Sequence, residues 1–95
     1  MATLSIVKQH GLSHAKARQA AEKVAEDLRA RFDLQYTWDG DRIEFRRPGL
    51  SGELTVGKDD VRLDCTLGFL LSALKPAIEN EVHKEFDKRF NGPVA

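Results

Sequence analysis

Between Leu34 and Arg46 the sequence reads L-Q-Y-T-W-D-G-D-R-I-E-F-R. Two alternating apolar and polar runs, Leu34/Tyr36/Trp38 and Ile43/Phe45, are joined by Asp39-Gly40, and a glycine that tolerates positive φ between such runs signals a β-hairpin. A turn at Asp39-Gly40 sets Tyr36 against Ile43 and Leu34 against Phe45; a turn at Gly40-Asp41 shifts the partners by two and keeps the same face. A three-residue turn would place Tyr36 opposite Glu44 and send one apolar face to water, so it is excluded.

The rest of the chain extends this hairpin. Arg46-Arg47-Pro48-Gly49 reads as a second turn, with proline presetting φ and glycine accepting a positive one. A strand follows near Ser51 to Gly57. Across a turn at Lys58-Asp59, Leu54 and Val56 meet Leu63 and Val61, and Gly52 meets Cys65, on a strand of about Val61 to Thr66. The four-stranded meander has one apolar face and one face carrying Glu44, Glu53, Arg62 and Asp64.

Before the meander, Thr3 to Gln9 places Leu4 and Ile6 on one side and suits a strand. Ser13 offers a helix N-cap, with Leu12 at the staple position; Ala17, Ala21, Val24, Ala25, Leu28 and Phe32 then recur at helical spacing, predicting a helix over 14–31. Asp27 and Arg31 are spaced as an i,i+4 ion pair on its outer face.

After the meander come Leu67, Leu70, Leu71, Leu74, Ile78, Val82, Phe86 and Phe90. Taken as one straight helix, this row would wind roughly 200° around the axis. Pro76 removes a helical hydrogen bond, so the segment divides into a short apolar turn near 68–74 and a helix over 76–90, stopped by Asn91-Gly92-Pro93.

The order is therefore β-α-β-β-β-β-α. A right-handed crossover through the first helix makes strand one parallel to strand two and antiparallel to strand five. The expected fold is an α+β two-layer sandwich, a mostly antiparallel five-stranded sheet of order 2-3-4-5-1 with both helices on one face. Residues 1–95 are expected to form a single domain. A chain of this size buries roughly 60–65% of its unfolded surface.

Fifteen basic and fifteen acidic residues cancel, which argues against nucleic acid as a partner. The one cysteine excludes an intramolecular disulfide and a cysteine-rich zinc site. The N-terminal residues lack a signal-peptide pattern and no stretch is long and apolar enough to span a membrane, so a cytoplasmic location is expected.

Chemical constellations are sparse. Cys65 lies in a strand on the apolar face and reads as a small core residue rather than a nucleophile. Ser51 in G-L-S-G-E lacks the last glycine of a hydrolase elbow and its strand-to-helix setting. His10 and His14 are separated by a strand end and a helix start, so they do not make a zinc pair; His10 reads as a turn hydrogen-bond partner. As an alternative, His10, His14, Lys16 and Arg18 around a helix N-terminus could hold an anionic headgroup. Trp38 beside the turn reads as a hairpin staple, with a ligand platform as its rival. Asp39, Asp41, Asp59 and Asp60 at two hairpin tips are turn chemistry. No metal site and no cofactor are expected.

With these residues in view, the chain resembles the small bacterial polyhydroxyalkanoic acid system family, proteins associated with the storage-polyester granule region. The similarity covers nearly the whole chain. It rests on H-G-L-S-H-A-K-A-R from His10, W-D-G-D-R-I-E-F from Trp38, G-L-S-G-E-L-T-V from Gly49, and L-G-F-L-L from Leu67 with the I-E-x-E-V helix after it; Pro76 is a local departure from a continuous helix. The resemblance implies a role in polyester storage at or near the granule and brings no catalytic residues with it. The synthase's cysteine box and the depolymerase's serine box are both absent.

The expectation is a non-catalytic accessory or binding protein of the polyhydroxyalkanoate granule system, acting through an apolar surface or a groove between helices and sheet. Its rivals are a carrier of a small apolar hydroxyacyl ligand, with a cavity under the last helix, and an enzyme on hydroxyacyl substrates. Expected partners are the granule surface or a granule protein, with a small apolar ligand and a second copy of the chain as further candidates. The candidate binding residues are His10, Arg18, Trp38, Phe86 and Phe90. Phe86 and Phe90, with Lys84, Lys88 and Arg89 beside them, are expected either to pack in the core or to project past the sheet and dock.

Overall fold

Alternation and turn chemistry determine the sheet, strand by strand. In a computed structural model that describes residues 2–90, the elements are β1 (Ala2–Gln9), α1 (His14–Phe32), β2 (Gln35–Asp39), β3 (Arg42–Arg47), β4 (Leu50–Val56), β5 (Asp60–Leu67), α2 (Phe69–Ser72) and α3 (Lys75–Arg89). The Asn91-Gly92-Pro93 stop lies outside the described residues. Trp38 pairs with Ile43 and Tyr36 with Phe45, so the turn is Gly40-Asp41. Gly40 takes φ 63° and Asp41 a negative φ. That sequence gives the turn the primed twist that two antiparallel strands need.

The Pro48-Gly49 turn pairs Arg47 with Leu50, Gly49 taking φ 84°. The third hairpin pairs Val56 with Val61, Leu54 with Leu63 and Gly52 with Cys65. β1 closes the other edge antiparallel to β5, with Leu4 opposite Cys65 and Ile6 opposite Leu63. The sheet order is β1-β5-β4-β3-β2, the expected arrangement.

Ser13 caps α1, its hydroxyl accepting from the Lys16 N–H at 3.3 Å, which satisfies one of the donors a helix start leaves free. The helix ends at Asp33 in the left-handed region, where the N–H returns to the Arg29 carbonyl at 2.9 Å. Ala17, Ala21, Val24, Ala25 and Leu28 are buried, and α3 adds Ile78, Val82 and Phe86 to the same core. Both helices thus cover the apolar sheet face, leaving Ser5, Glu44, Glu53, Arg62 and Asp64 on the other.

One expected ion pair is replaced. Asp27 binds Arg89 at 2.8 Å and Arg31 binds Glu81 at 2.7 Å, so both partners come from α3 instead of from α1 itself. Side-by-side helices offer these side chains shorter, less hydrated contacts than an exposed i,i+4 pair does.

Candidate functional site

The five candidate binding residues fall into two separate places. At the β2–β3 turn, Arg18 donates to the Gly40 carbonyl and to Asp41 Oδ1, each at 2.7 Å, and its guanidinium lies 4.3 Å from the centroid of the Trp38 ring. The Trp38 indole N–H donates to Glu22 at 2.7 Å, and His14 Nε2 lies 2.9 Å from Asp41 Oδ1. The hydrogen bond to His14, then that to Arg18, holds the Asp41 carboxyl below the usual carboxylate range, since both favour its charged form. This network ties the first turns of α1 to the hairpin, so Trp38 is placed as the staple. The alternative reading of an open anion site at the α1 N-terminus is not met, because Asp41 Oδ1 already lies between His14 and Arg18.

His10 lies elsewhere, buried in the core. Its Nδ1 accepts from the Leu12 N–H at 3.2 Å and Nε2 lies 3.1 Å from the Gly57 carbonyl. One acceptor and one donor nitrogen require the neutral tautomer protonated at Nε2. The ring lies 6.4 Å from Phe90, and Phe90 meets Phe86 edge-to-face at 5.4 Å. The reading in which Phe86 and Phe90 project past the sheet is overturned: they are 1% and 0% exposed. The row at i,i+4 drifts around α3 just as the twisted sheet beneath it turns, so its last members still meet β1 and the His10 turn.

α3 also buries a charge-bearing residue that the apolar pattern hides. Glu85 is 3% exposed, facing Asp27 of α1; burial first, then Asp27, pushes its carboxyl above the ordinary value, because both disfavour the ionised form. Arg89 Nε stands 3.7 Å from Glu85 Oε1, and both atoms are buried without a partner. That separation is too long for a hydrogen bond. Cys65 is buried, and desolvation pushes its thiol up to about 11. It therefore stays protonated at neutral pH and is a poor nucleophile.

The space between helices and sheet is nearly filled. A gap of about 20 Å³ remains among Leu28, Phe45, Leu63, Ile78 and Val82. That is room for about one water, where a small-molecule site needs about 300 Å³ or more. The groove that a carrier would use is therefore closed as it stands. The opposite sheet face has a shallow, open depression of about 610 Å³ floored by polar side chains, among which Ser5 donates to Asp64 at 2.8 Å.

What the chain does expose is α2. Phe69 is 86% exposed, Leu70 84% and Leu74 50%, while Leu71 turns inward against the core. The orientation comes from two glycines. The Gly68 N–H donates to the Gly49 carbonyl at 2.7 Å, and a Cβ on Gly68 would stand a tight 3.3 Å from Gly49 Cα, so the bare pair lets α2 sit closely on the Pro48-Gly49 turn. Leu71 then packs over Gly49, and the geometry of one helical turn leaves Phe69 and Leu70 facing out. Sequence reasoning located an apolar turn here without singling out these residues; the crowding of Leu67, Phe69, Leu70, Leu71 and Leu74 on so short an element was the available signal.

No described helix is long and apolar enough to cross a membrane. The NMR structure of PA4090 from Pseudomonas aeruginosa is similar to this chain with a TM-score of 0.62 at 11% identity, covering 98% of this chain and 88% of that one; this likeness speaks to the fold alone. No curated protein matches the sequence. A family model does: residues 4–90 match the family described as "Putative polyhydroxyalkanoic acid system protein", which takes in the hairpin, both long helices and α2, and the chain belongs to that family.

Proposed function

We propose that this chain is a non-catalytic accessory protein of the polyhydroxyalkanoate storage-granule system, docking on the granule surface through the apolar α2 end of its sheet. The observation that carries the reading is the exposure of Phe69, Leu70 and Leu74, which with Val7 are the large apolar side chains half or more exposed among the described residues. Single exposed leucines are ordinary, but Phe69 and Leu70 on α2 with Leu74 at the start of α3 put three large exposed residues within six positions. Covering Phe69 and Leu70 contributes about 1.5–3 kcal/mol each. The sum, about 3–6 kcal/mol before association costs, supports weak and reversible docking rather than permanent anchoring.

A fluorescent fusion in granule-forming cells tests this. The wild-type chain should outline granules, and Phe69→Ser with Leu70→Ser should leave it diffuse. The substitutions should leave thermal stability nearly unchanged, since exposed positions shift it by only about 0.5 kcal/mol. A wild-type fusion that never reaches granules, or a variant that stays on them, overturns the reading. For the non-catalytic part, Cys65→Ala and Ser51→Ala should each preserve the protein's effect on granule size; loss of that effect in a variant of normal stability would mark an enzyme.

A further inference from the structure

We propose that this chain pairs with a second copy of itself through the free edge of β1, joining two five-stranded sheets into one. The register decides which backbone groups that edge offers. The His10 N–H donates to the Asp59 carbonyl at 2.9 Å, and opposed residues of an antiparallel ladder alternate between bonded and unbonded pairs. Lys8, Ile6, Leu4 and Ala2 therefore face β5, while the N–H and C=O groups of Thr3, Ser5, Val7 and Gln9 point away from the sheet. Among the described residues no backbone or side-chain group bonds them.

The sheet's other edge offers less. The Val56 N–H donates to the Asp41 carbonyl at 2.8 Å, and the same alternation carried across β3 leaves only Tyr36 and Trp38 of β2 turned outward. Sheets keep their edges apart with bulges, prolines and exposed charges. β1 has none of these: its register runs unbroken from Ala2 to Gln9, no proline interrupts it, and its one charged residue, Lys8, is held by Asp87 of α3 at 2.9 Å.

The strand is also its own complement. A two-fold axis through Ser5 sets Ser5 on Ser5, Thr3 on the second copy's Val7 and Leu4 on the second copy's Ile6, so the outward groups meet in three bonded pairs, about six hydrogen bonds. On the open face this brings Val7, 52% exposed, beside a threonine; on the helix face the buried row of Leu4 and Ile6 continues into the next molecule. A shift of two residues one way sets Leu4 against the second copy's Lys8, and a shift the other way loses a bonded pair within Ala2–Gln9.

The helix layer selects a second copy over a foreign strand. α3 covers β1, with Ile78 and Val82 lining the same gap as Leu4 and with Phe90 beside His10. The inward side chains of a bare strand added next to β1 would stand beyond that cover, whereas a second copy brings its own α3 over them. Fifteen basic and fifteen acidic residues also leave no net charge for two copies to repel.

Sedimentation equilibrium of the purified chain tests the proposal. Across a dilution series the mass should pass from two chains to one, and Val7→Lys, a charge on the edge, should weaken the dimer at least tenfold. Ser5→Pro removes an outward N–H and leaves the ladder to β5 whole, so it should give a monomer with an unchanged far-UV spectrum. On oxidation Ser5→Cys should link two chains, because a bonded pair sets its Cα atoms about 5.5 Å apart, within disulfide reach. Thr3→Cys should not, since it meets Val7. A wild-type chain that stays single at every concentration, a dimer that Val7→Lys leaves intact, or cross-linking through Thr3→Cys in place of Ser5→Cys overturns the proposal. So does a monomer whose Ser5 and Val7 amides gain exchange protection only with a different protein, which would give the edge to a foreign strand.

Discussion

Replacing Phe86 by alanine separates a core residue from a docking residue. Its ring is 1% exposed, meets Phe90 edge-to-face at 5.4 Å and sits on the same helical face as Ile78 and Val82. Removing a buried phenylalanine costs about 3–5 kcal/mol in transfer and cavity terms. Part of that is the aromatic pair with Phe90, which contributes about 0.5–1.5 kcal/mol. A domain of this size has roughly 5–14 kcal/mol in all, so the variant loses about a fifth or more of its stability. With a urea slope of about 1–3 kcal/mol per M, the denaturation midpoint should fall by about 2 M. Tryptophan emission from Trp38 reports the transition. A fall corresponding to less than about 1 kcal/mol would mean that Phe86 is not core and would reinstate α3 as a surface that docks.

Glu85→Gln should stabilise the domain increasingly as pH rises. The folded state holds the Glu85 carboxyl above its ordinary value of 4.5, so its favourable contribution is complete below that value and lost as pH climbs through the raised one. Asp27 runs oppositely: hydrogen bonds from Glu85 and Arg89 lower it, so its contribution is present at neutral pH and lost in acid. Glutamine keeps a donor toward Asp27 and removes only the first titration. The urea midpoint of the variant should therefore gain on wild type as pH rises from acid to neutral, and a gap that does not change with pH would refute the assignment. In a Gly52→Ala variant the new Cβ would lie 2.7 Å from the Asp64 carbonyl and 3.1 Å from Cys65 Cα, both backbone atoms that cannot turn aside. Such overpacking should cost about 1–3 kcal/mol. Denaturation at unchanged slope measures it, and a loss under about 0.5 kcal/mol would show that the strand yields.

The strand registers were legible because each is set locally: Gly40 and Gly49 mark their turns, and period-two alternation admits only partners that keep Ile43, Phe45, Leu54 and Leu63 on one face. The position of β1 followed from crossover handedness, a rule about chains in general. The side-chain partners were not legible. Asp27 suits Arg31 on an isolated helix, and only the packing of α3 beside α1 presents Arg89 instead. A row such as Ile78, Val82, Phe86 and Phe90 has the same period whether it faces a sheet or a partner, so its role waited on the sheet's twist. α2 is too short for periodicity to choose a face. That choice belongs to the approach of Gly68 to Gly49, which lie on different hairpins, and the exposed wedge follows from it.

If α2 is the face this protein turns toward granules, a probe placed on it will report the contact. Because Cys65 is 9% exposed with its thiol pushed up to about 11, it reacts poorly, and a Leu70→Cys variant takes a solvent-sensitive fluorophore at the new position in an otherwise native chain. Lys58→Cys, at the opposite end of the sheet, is the matched control. On titration with isolated polyester granules, emission from position 70 should shift to the blue and saturate while position 58 stays unchanged. A shift at 58 alone, at both positions, or at neither would contradict that role for α2.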